Sequence, residues 1–470
     1  MSVQNCCSEY NRFIKKWEKC RDVVGGETYV KHRKERYLPR ASGMDDNDYR
    51  GYLMRAQFFN AAGRTLDGLS GMINRKPALV TVPEGYEKYI ENVDGKDHSL
   101  VQFCSESVKD LLTTGWGGVL VDMPKMDNVR SQKDFEDSNL FAYMTYYKAE
   151  SIINWHWSSS GRKQYLDFVV FREKTETIKK DFTVEVKYNY RLCKIDADGY
   201  YKQILYNDRD EVIEESEPRM KNGRFRYIPF FFLASSDNPT EPILEDLINV
   251  NLSHYRKSAD YENGLHWTGV PTPWTQGADV GTVFVNGREV AAEPLKLGGS
   301  VVQNLPAGAS MQYLEFGGSG CAQLANAMAA DEDRMAILGA RIISQERNGV
   351  EAAETARIHR AGENSILSDI ANNLSIIFSK ILKIYLEWSS GNEVPDDKHS
   401  VQFNTDYDVS MMPASDLVAY VSAWQAGAIS KKTMFRNLKE GEIISPEKSF
   451  DDEQAEIDEE QQSRAIPQVE

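Results

Sequence analysis

Two long helix-compatible stretches bracket a segment that cannot be helical, and that arrangement constrains this chain more than any other feature. Residues 243–267, ILEDLINVNLSHYRKSADYENGLHW, follow Pro242 and set Leu244, Ile248, Leu252, Tyr255 and Ala259 on one side. Residues 321–344, CAQLANAMAADEDRMAILGARIIS, bring Leu324, Met328, Met335, Leu338 and Ile342 roughly into line. Between them, residues 268–320 are broken by repeated Gly and Pro and leave room only for short strands. The bracketing helices are therefore expected to pack antiparallel as a stalk, with a small β module at the tip. At roughly 24 residues each would span about 35 Å. Neither is apolar all round, so neither belongs in the core of a monomer. Apolar surface on elongated helices marks a subunit interface, which favours a closed oligomer over a compact enzyme.

The rest of the chain supplies a body for that stalk. At 470 residues it is long enough for two or three domains, or for one elongated subunit of several parts. Residues 8–38 are helix-compatible, with Tyr10, Phe13, Ile14 and Trp17 on one side. Residues 49–77 read as a single amphipathic helix stopped by Pro77. A further helix ends in GWGG at 115–118 and leads into a short buried strand over 119–123. Residues 140–233 alternate or cluster apolar and aromatic residues between turn signals such as Asp198-Gly199, the pattern of an antiparallel sheet. The fold class is α+β.

One helix poses a question. From Arg347 to Trp388 the pattern is helical, yet only the second half carries an apolar stripe: Ile366, Ile370, Leu374, Ile377, Ile381 and Tyr385. The first half interleaves Ala with Glu351, Glu354, Arg357, Arg360 and Glu363, and has almost nothing to bury. A strand over 400–409, two short helices over 414–440 and an acidic end follow.

Charge and chemistry exclude several classes. The net charge is −16; residues 451–470 hold eight acids and one arginine, −7 of that total, leaving −9 on the body. Broad, tight binding of nucleic acid needs clustered Lys and Arg, so any DNA contact is weak or local. The tail is expected to be solvated and disordered. No apolar run of about 18 residues is present, so no membrane partner is expected. The first residues lack a signal-peptide pattern, and the six cysteines lack metal spacing, as reduced thiols would.

GWGG follows a helix and precedes a strand, the reverse of a phosphate-cradling loop, and reads as a tight turn. NWHWSSSG at 154–161 offers His156 and serines but no nucleophile elbow. His254 and His266 are twelve residues apart on one helix, too far for a shared metal. No catalytic residue, metal ligand or cofactor is assigned, and the chain is not expected to be an enzyme.

Several segments, in order, carry a resemblance: YRGYLMRAQFFNAAGRTLDGLSGMINRKP, LLTTGWGGVLVDMP, YYKAESIINW, YIPFFFLA, LINVNLSHYRKSADYENGLHWTGVPTPW and AAETARIHRAGENSILSDIANNL. From about residue 45 to about 410 the chain resembles the portal proteins, or head-tail connectors, of tailed bacteriophages. Within these it is similar to a subgroup first catalogued as a domain of unknown function. The resemblance implies a portal fold: a wing at 1–240, stem helices at 241–266 and 320–343, and a clip at 267–319. It also implies a tunnel loop at 344–352, a long helix and wing strand at 353–412, a crown at 413–450 and the acidic tail at 451–470. The wing regains about 366–412.

By the same resemblance the chain would form a ring, a dodecamer, at one capsid vertex of the virion, after assembly in the host cytoplasm. Its channel would pass non-specific double-stranded DNA during packaging and ejection. The implied partners are the major capsid protein, the large terminase and head-completion or tail adaptor proteins. Arg347, Glu351, Glu354, Arg357 and Arg360 become candidates for the channel wall, where mixed charge avoids a deep binding minimum for a sliding polyanion. Pairing of those arginines with Glu351, Glu354 and Glu363 at helical spacing is the equally weighted alternative. Two other classes stay open: a carbohydrate-active hydrolase, and a capsid structural protein without a channel.

Overall fold

The computed structural model describes residues 2–124, 141–221, 223–234, 236–270, 272–277, 282–291, 307–314, 318–343, 366–405, 407, 414–440, 443–444 and 448–464. It mixes α and β, and divides into Met1–Thr405 and Asp406–Glu470. Among the described residues no helix is long and apolar enough to cross a membrane.

The first unit opens with α1 (Ser8–Gly25) and α2 (Glu27–His32). Helix α1 buries Tyr10, Phe13, Trp17, Cys20 and Val23, one face at helical spacing. Gly26 at φ +91° ends it, a backbone state that a side chain would strain. Helices α3 (Asp46–Arg55) and α4 (Ala61–Ile73) follow. The single helix expected over 49–77 is therefore two. Asp45 caps α3 by accepting from Asn47 and Asp48 N–H at 2.8 Å, and Asn60 caps α4 through Gly63 N–H. The five residues between them leave the helical path because partners outside the segment hold their backbone, as described below.

Strand β1 (Leu79–Thr81), helix α5 (Leu100–Thr114) and strand β2 (Gly117–Asp122) come next. Ser99 and Gln102 form a capping box at the start of α5, and Gly115 ends it at φ +71°. All six residues of β2 are buried. They pair antiparallel with β3 (Tyr143–Lys148) on one side. A five-stranded antiparallel meander follows: β4 (Ile152–Ser160), β5 (Lys163–Ile178), β6 (Val184–Ile195), β7 (Tyr201–Tyr206) and β8 (Val212–Ser216). The pair β9 (Arg219–Met220) and β10 (Gly223–Arg224) leads to β11 (Phe230–Phe232), which covers the other side of β2. Aromatic rings join the two larger sheets: Tyr147 stacks on Phe171 at 3.8 Å, Phe171 meets Phe230 at 4.8 Å, and Trp155 meets Phe232 at 6.1 Å.

Helix α6 (Glu245–Gly269), strands β12 (Thr272–Gln276), β13 (Thr282–Val285), β14 (Arg288–Ala291) and β15 (Ser310–Leu314), and helix α7 (Ser319–Ile343) form the next section. Helix α8 (Ile366–Ser390) runs through the core and β16 (Ser400–Gln402) pairs with β1. The face of α8 that is buried is Leu367, Ala371, Leu374, Phe378, Ile381, Leu382 and Tyr385. Of the stripe read from sequence, Leu374, Ile381 and Tyr385 lie in it, while Ile366 is exposed and Ile370 and Ile377 are half-buried. The apolar residues of α8 cover more than one face, so periodicity alone left the inward face ambiguous. On the buried face, Tyr385 Oη donates to Tyr89 C=O at 2.6 Å.

The second unit holds α9 (Ala414–Gln425), α10 (Lys431–Glu440) and α11 (Phe450–Arg464). Residues 451–464 of the tail, which was expected to be disordered, are helical within α11. Asp451, Asp452 and Glu453 sit at the positive end of the α11 dipole, and Lys448 reaches Glu453 at 2.6 Å and Glu456 at 2.5 Å.

GWGG has a packing reason rather than a ligand. Gly115 is the left-handed cap, while Gly117 and Gly118 are strand residues and not a turn. A Cβ on Gly118 would lie 2.3 Å from Phe230 Cζ and 2.8 Å from Phe231 C=O, and the second atom is backbone. Gly118→Ala is expected to destabilise the first unit by about 1–3 kcal/mol, read by chemical unfolding.

The thiols are free, as expected. Burial, with Glu245 nearby, pushes Cys20 up to about 12, and burial pushes Cys193 up to about 12; Cys104 is buried and raised as well. Cys6 is exposed. A thiol reagent at about pH 8 is expected to label Cys6 first, and Cys20, Cys104 and Cys193 only after unfolding.

Candidate functional site

The feature with the geometry of a site is the hairpin of α6 and α7. At 25 residues each, the helices run about 37 Å. One ion pair and one histidine–carboxylate contact align them. Asp331, almost fully buried, accepts from Lys257 Nζ at 2.6 Å and more weakly from Arg334 at 3.4 Å. One turn along, His254 Nε2 lies 3.2 Å from Glu332.

The root of α6 is embedded in the first unit. Leu247, Ile248, Leu252, Tyr255 and Ala259 are buried, and so are the polar residues Asn251 and Ser258. Those two meet the break between α3 and α4. Asn251 Nδ2 donates to Phe59 C=O at 2.8 Å while its Oδ1 accepts from Ala62 N–H at 3.0 Å. Ser258 Oγ donates to Gln57 C=O at 2.6 Å and accepts from Gln57 N–H at 3.2 Å. Tyr52 to Asp260 at 2.6 Å and Arg55 to Asn263 at 2.8 Å continue the seam. The broken backbone is thus satisfied by side chains of α6, which is why the two-helix arrangement is stable.

Beyond Asn263 the surroundings change. Leu265, Trp267 and Val270 are exposed on α6 and its end, as are Trp274, Tyr313 and Leu314 on the strands that follow. Strands β12 and β15 pair antiparallel from Thr272 with Leu314 to Gln276 with Ser310, so the ladder carries the hairpin outward. Strands β13 and β14 form a second hairpin across Asn286-Gly287, both at positive φ. That dipeptide is a signal of this turn that reading for breakers alone passed over.

The other sequence candidates fall as follows. Arg347, Glu351, Glu354, Arg357 and Arg360, and with them the segment 344–352, lie outside the described residues. His156 is exposed on β4; its Nδ1 faces both Ser158 Oγ at 3.4 Å and Asp167 at 3.7 Å. A relay needs the two ring nitrogens to serve the two partners separately, so this trio is not arranged as one. Of the flanking tryptophans, Trp155 is buried against Trp116 in the sheet core, while Trp157 is half-buried and its Nε1 donates to Asp237 C=O at 3.2 Å. Among the described residues no group of His, Cys, Asp and Glu could hold a metal.

The alignment of the hairpin is testable. Asp331→Ala leaves Lys257, itself only about a third exposed at 29%, without its carboxylate and is expected to cost about 1–3 kcal/mol in urea unfolding. Arg334→Ala removes a 68% exposed partner and should cost less than about 0.5 kcal/mol.

A family model described as Domain of unknown function (DUF4055) matches residues 243–389, from the start of α6 through the tip and α7 into α8. No curated protein matches the chain. Among solved structures, a chain from the virion of a native gene transfer agent (GTA) particle is similar at 11% identity, with 87% of this chain and 98% of that chain covered and a TM-score of 0.39. A chain from the neck of an empty GTA particle computed with C6 symmetry is similar at 13% identity, covering 88% and 98%, with a TM-score of 0.39. A chain from the neck of a native GTA particle computed with C12 symmetry gives 12% identity, 87% and 98%, and 0.35. At such TM-scores the likeness is too loose to carry a conclusion about this chain.

Proposed function

We propose that this protein is the subunit of a portal ring at a capsid vertex, forming the channel for packaging and ejection of double-stranded DNA. The observation that carries the reading is the α6–α7 hairpin, rooted in the body by hydrogen bonds and bare along its outer part. A monomer gains nothing from holding Leu265, Trp267, Trp274 and Leu314 in water. Side-by-side copies would cover the helices and leave the β12–β15 and β13–β14 tip as a platform. Terminase and then tail or adaptor proteins would dock there. The ordered resemblance of the sequence segments to portal proteins supports the same reading.

In this arrangement residues 344–364 approach the channel. An acidic body repels the phosphate backbone, and mixed Arg and Glu offer no deep minimum to stop a sliding duplex. Arg347, Arg357 and Arg360 make transient phosphate contacts or pair with Glu351, Glu354 and Glu363 at helical spacing, and the two roles do not exclude each other.

Two measurements test this. Light scattering of the full chain, with micrographs viewed down the axis, is expected to give a closed ring of dodecamer size around a central hole; a single folded chain at all concentrations would end the reading. Reversal of Arg347, Arg357 and Arg360 to Glu is expected to leave the ring intact and lower DNA packaging. Unchanged packaging would remove those residues from the channel wall.

A further inference from the structure

The second unit sorts its charge onto two helices. Helix α10 holds four cations and one acid, while α11 holds seven acids and one arginine. On α10, Lys432, Arg436 and Lys439 recur at i, i+4 and i+7, so they share one side over about 10 Å. With Phe435 and Phe450 they line an open cavity of about 400 Å³. The two rings meet edge to face at 5.5 Å. Clustered cations beside an aromatic surface suit an acidic partner.

The acids of the same unit fall into two sets. Glu453 and Glu456 are taken by Lys448, at 2.6 and 2.5 Å, and Lys448 lies outside both helices. Towards α10 itself, α11 turns Phe450 and the uncharged Gln454, which accepts from Lys431. Asp451, Asp452, Asp458 and Glu459 form the second set, at i, i+1, i+7 and i+8, and all four are exposed. The half-buried Phe450, Gln454 and Ile457 lie on the other side of the helix. Asp452 accepts from Ser449 Oγ and Asp458 from Gln454 Nε2, each at 2.6 Å, but among the described residues none of the four forms an ion pair. Nor does any ion pair there join Lys432 or Lys439 to α11. The acidic stripe also runs about 10 Å, the length of the basic one.

We propose that the acidic stripe of α11 in one copy docks on the basic face of α10 in the next copy. Asp451, Asp458 and Glu459 meet Lys432, Arg436 and Lys439. Two different surfaces on one chain make the contact head-to-tail, the type that closes into a ring when repeated about an axis. Helices α10 and α11 touch within one unit, so rotation about such an axis keeps the stripe of each copy level with the face of its neighbour. The proposal rests on the ring reading and assigns one of its contacts.

The test uses two variants of the full chain, Lys432→Glu with Arg436→Glu in one and Asp458→Lys with Glu459→Lys in the other. All four altered side chains are exposed, and circular dichroism checks the folding. Each variant alone is expected to raise the concentration needed for assembly on the order of tenfold or more. An equimolar mixture should assemble at the wild-type concentration, because alternating copies set each helix against its complement and an even-numbered ring such as a dodecamer closes. Pairing of the two helices within one chain would leave the mixture as weak as its components, and that result overturns the proposal. Assembly of either variant alone at the wild-type concentration overturns the contact and leaves the ring standing. So does a loss of binding to a short DNA duplex with assembly unchanged, which would give the α10 face to nucleic acid. A wild-type chain that never assembles overturns the ring, and this contact with it.

Discussion

Asn251 and Ser258 hold the molecule together at the point where everything else diverges. Between α3 and α4 the chain leaves the helical path, and the freed groups of Gln57, Phe59 and Ala62 are taken up by these two side chains of α6. A buried backbone group without a partner costs about 1–3 kcal/mol, so the break exists only where α6 is in place. Conversely, α6 points outward because its first half is bonded along one side to that break. The direction of the hairpin is therefore decided at its root, far from its tip.

From that root, two different kinds of surface grow out of one body. The core itself is closed conventionally, with β2 buried between two strands and aromatic rings linking the sheets. The outer half of the hairpin and the end of the β5–β6 ribbon have no such cover. Apolar side chains on both face water, Trp267 and Leu314 on the first and Ile178 and Val184 on the second.

Much of this was legible in the residues. The pattern of helix, breaker-rich segment and returning helix is visible because Pro242 and the clustered Gly and Pro act locally. The strand-rich middle and the free, scattered cysteines were legible for the same reason. Other features were not. The helix over 49–77 is two because a partner almost 200 residues away competes for its backbone, and no local pattern contains that partner. The inward face of α8 is turned from the stripe because Leu367, Phe378 and Leu382 were as apolar as the residues first chosen. GWGG looked like a turn, yet Gly117 and Gly118 lie within a strand where side chains from Tyr146 and Phe230 come too near for a Cβ.

By itself the sequence determined the elements and their order, since caps, breakers and apolar periods act over a few residues. It also determined the acidity, a formal net charge of −16. Only the tertiary structure decided which of those elements are covered. It showed the buried Asp331 aligning the hairpin, the β5–β6 ribbon outrunning its sheet, and His156 presenting one nitrogen to both its neighbours. Burial and pairing depend on residues brought together from distant parts of the chain, and that meeting is what local patterns do not encode.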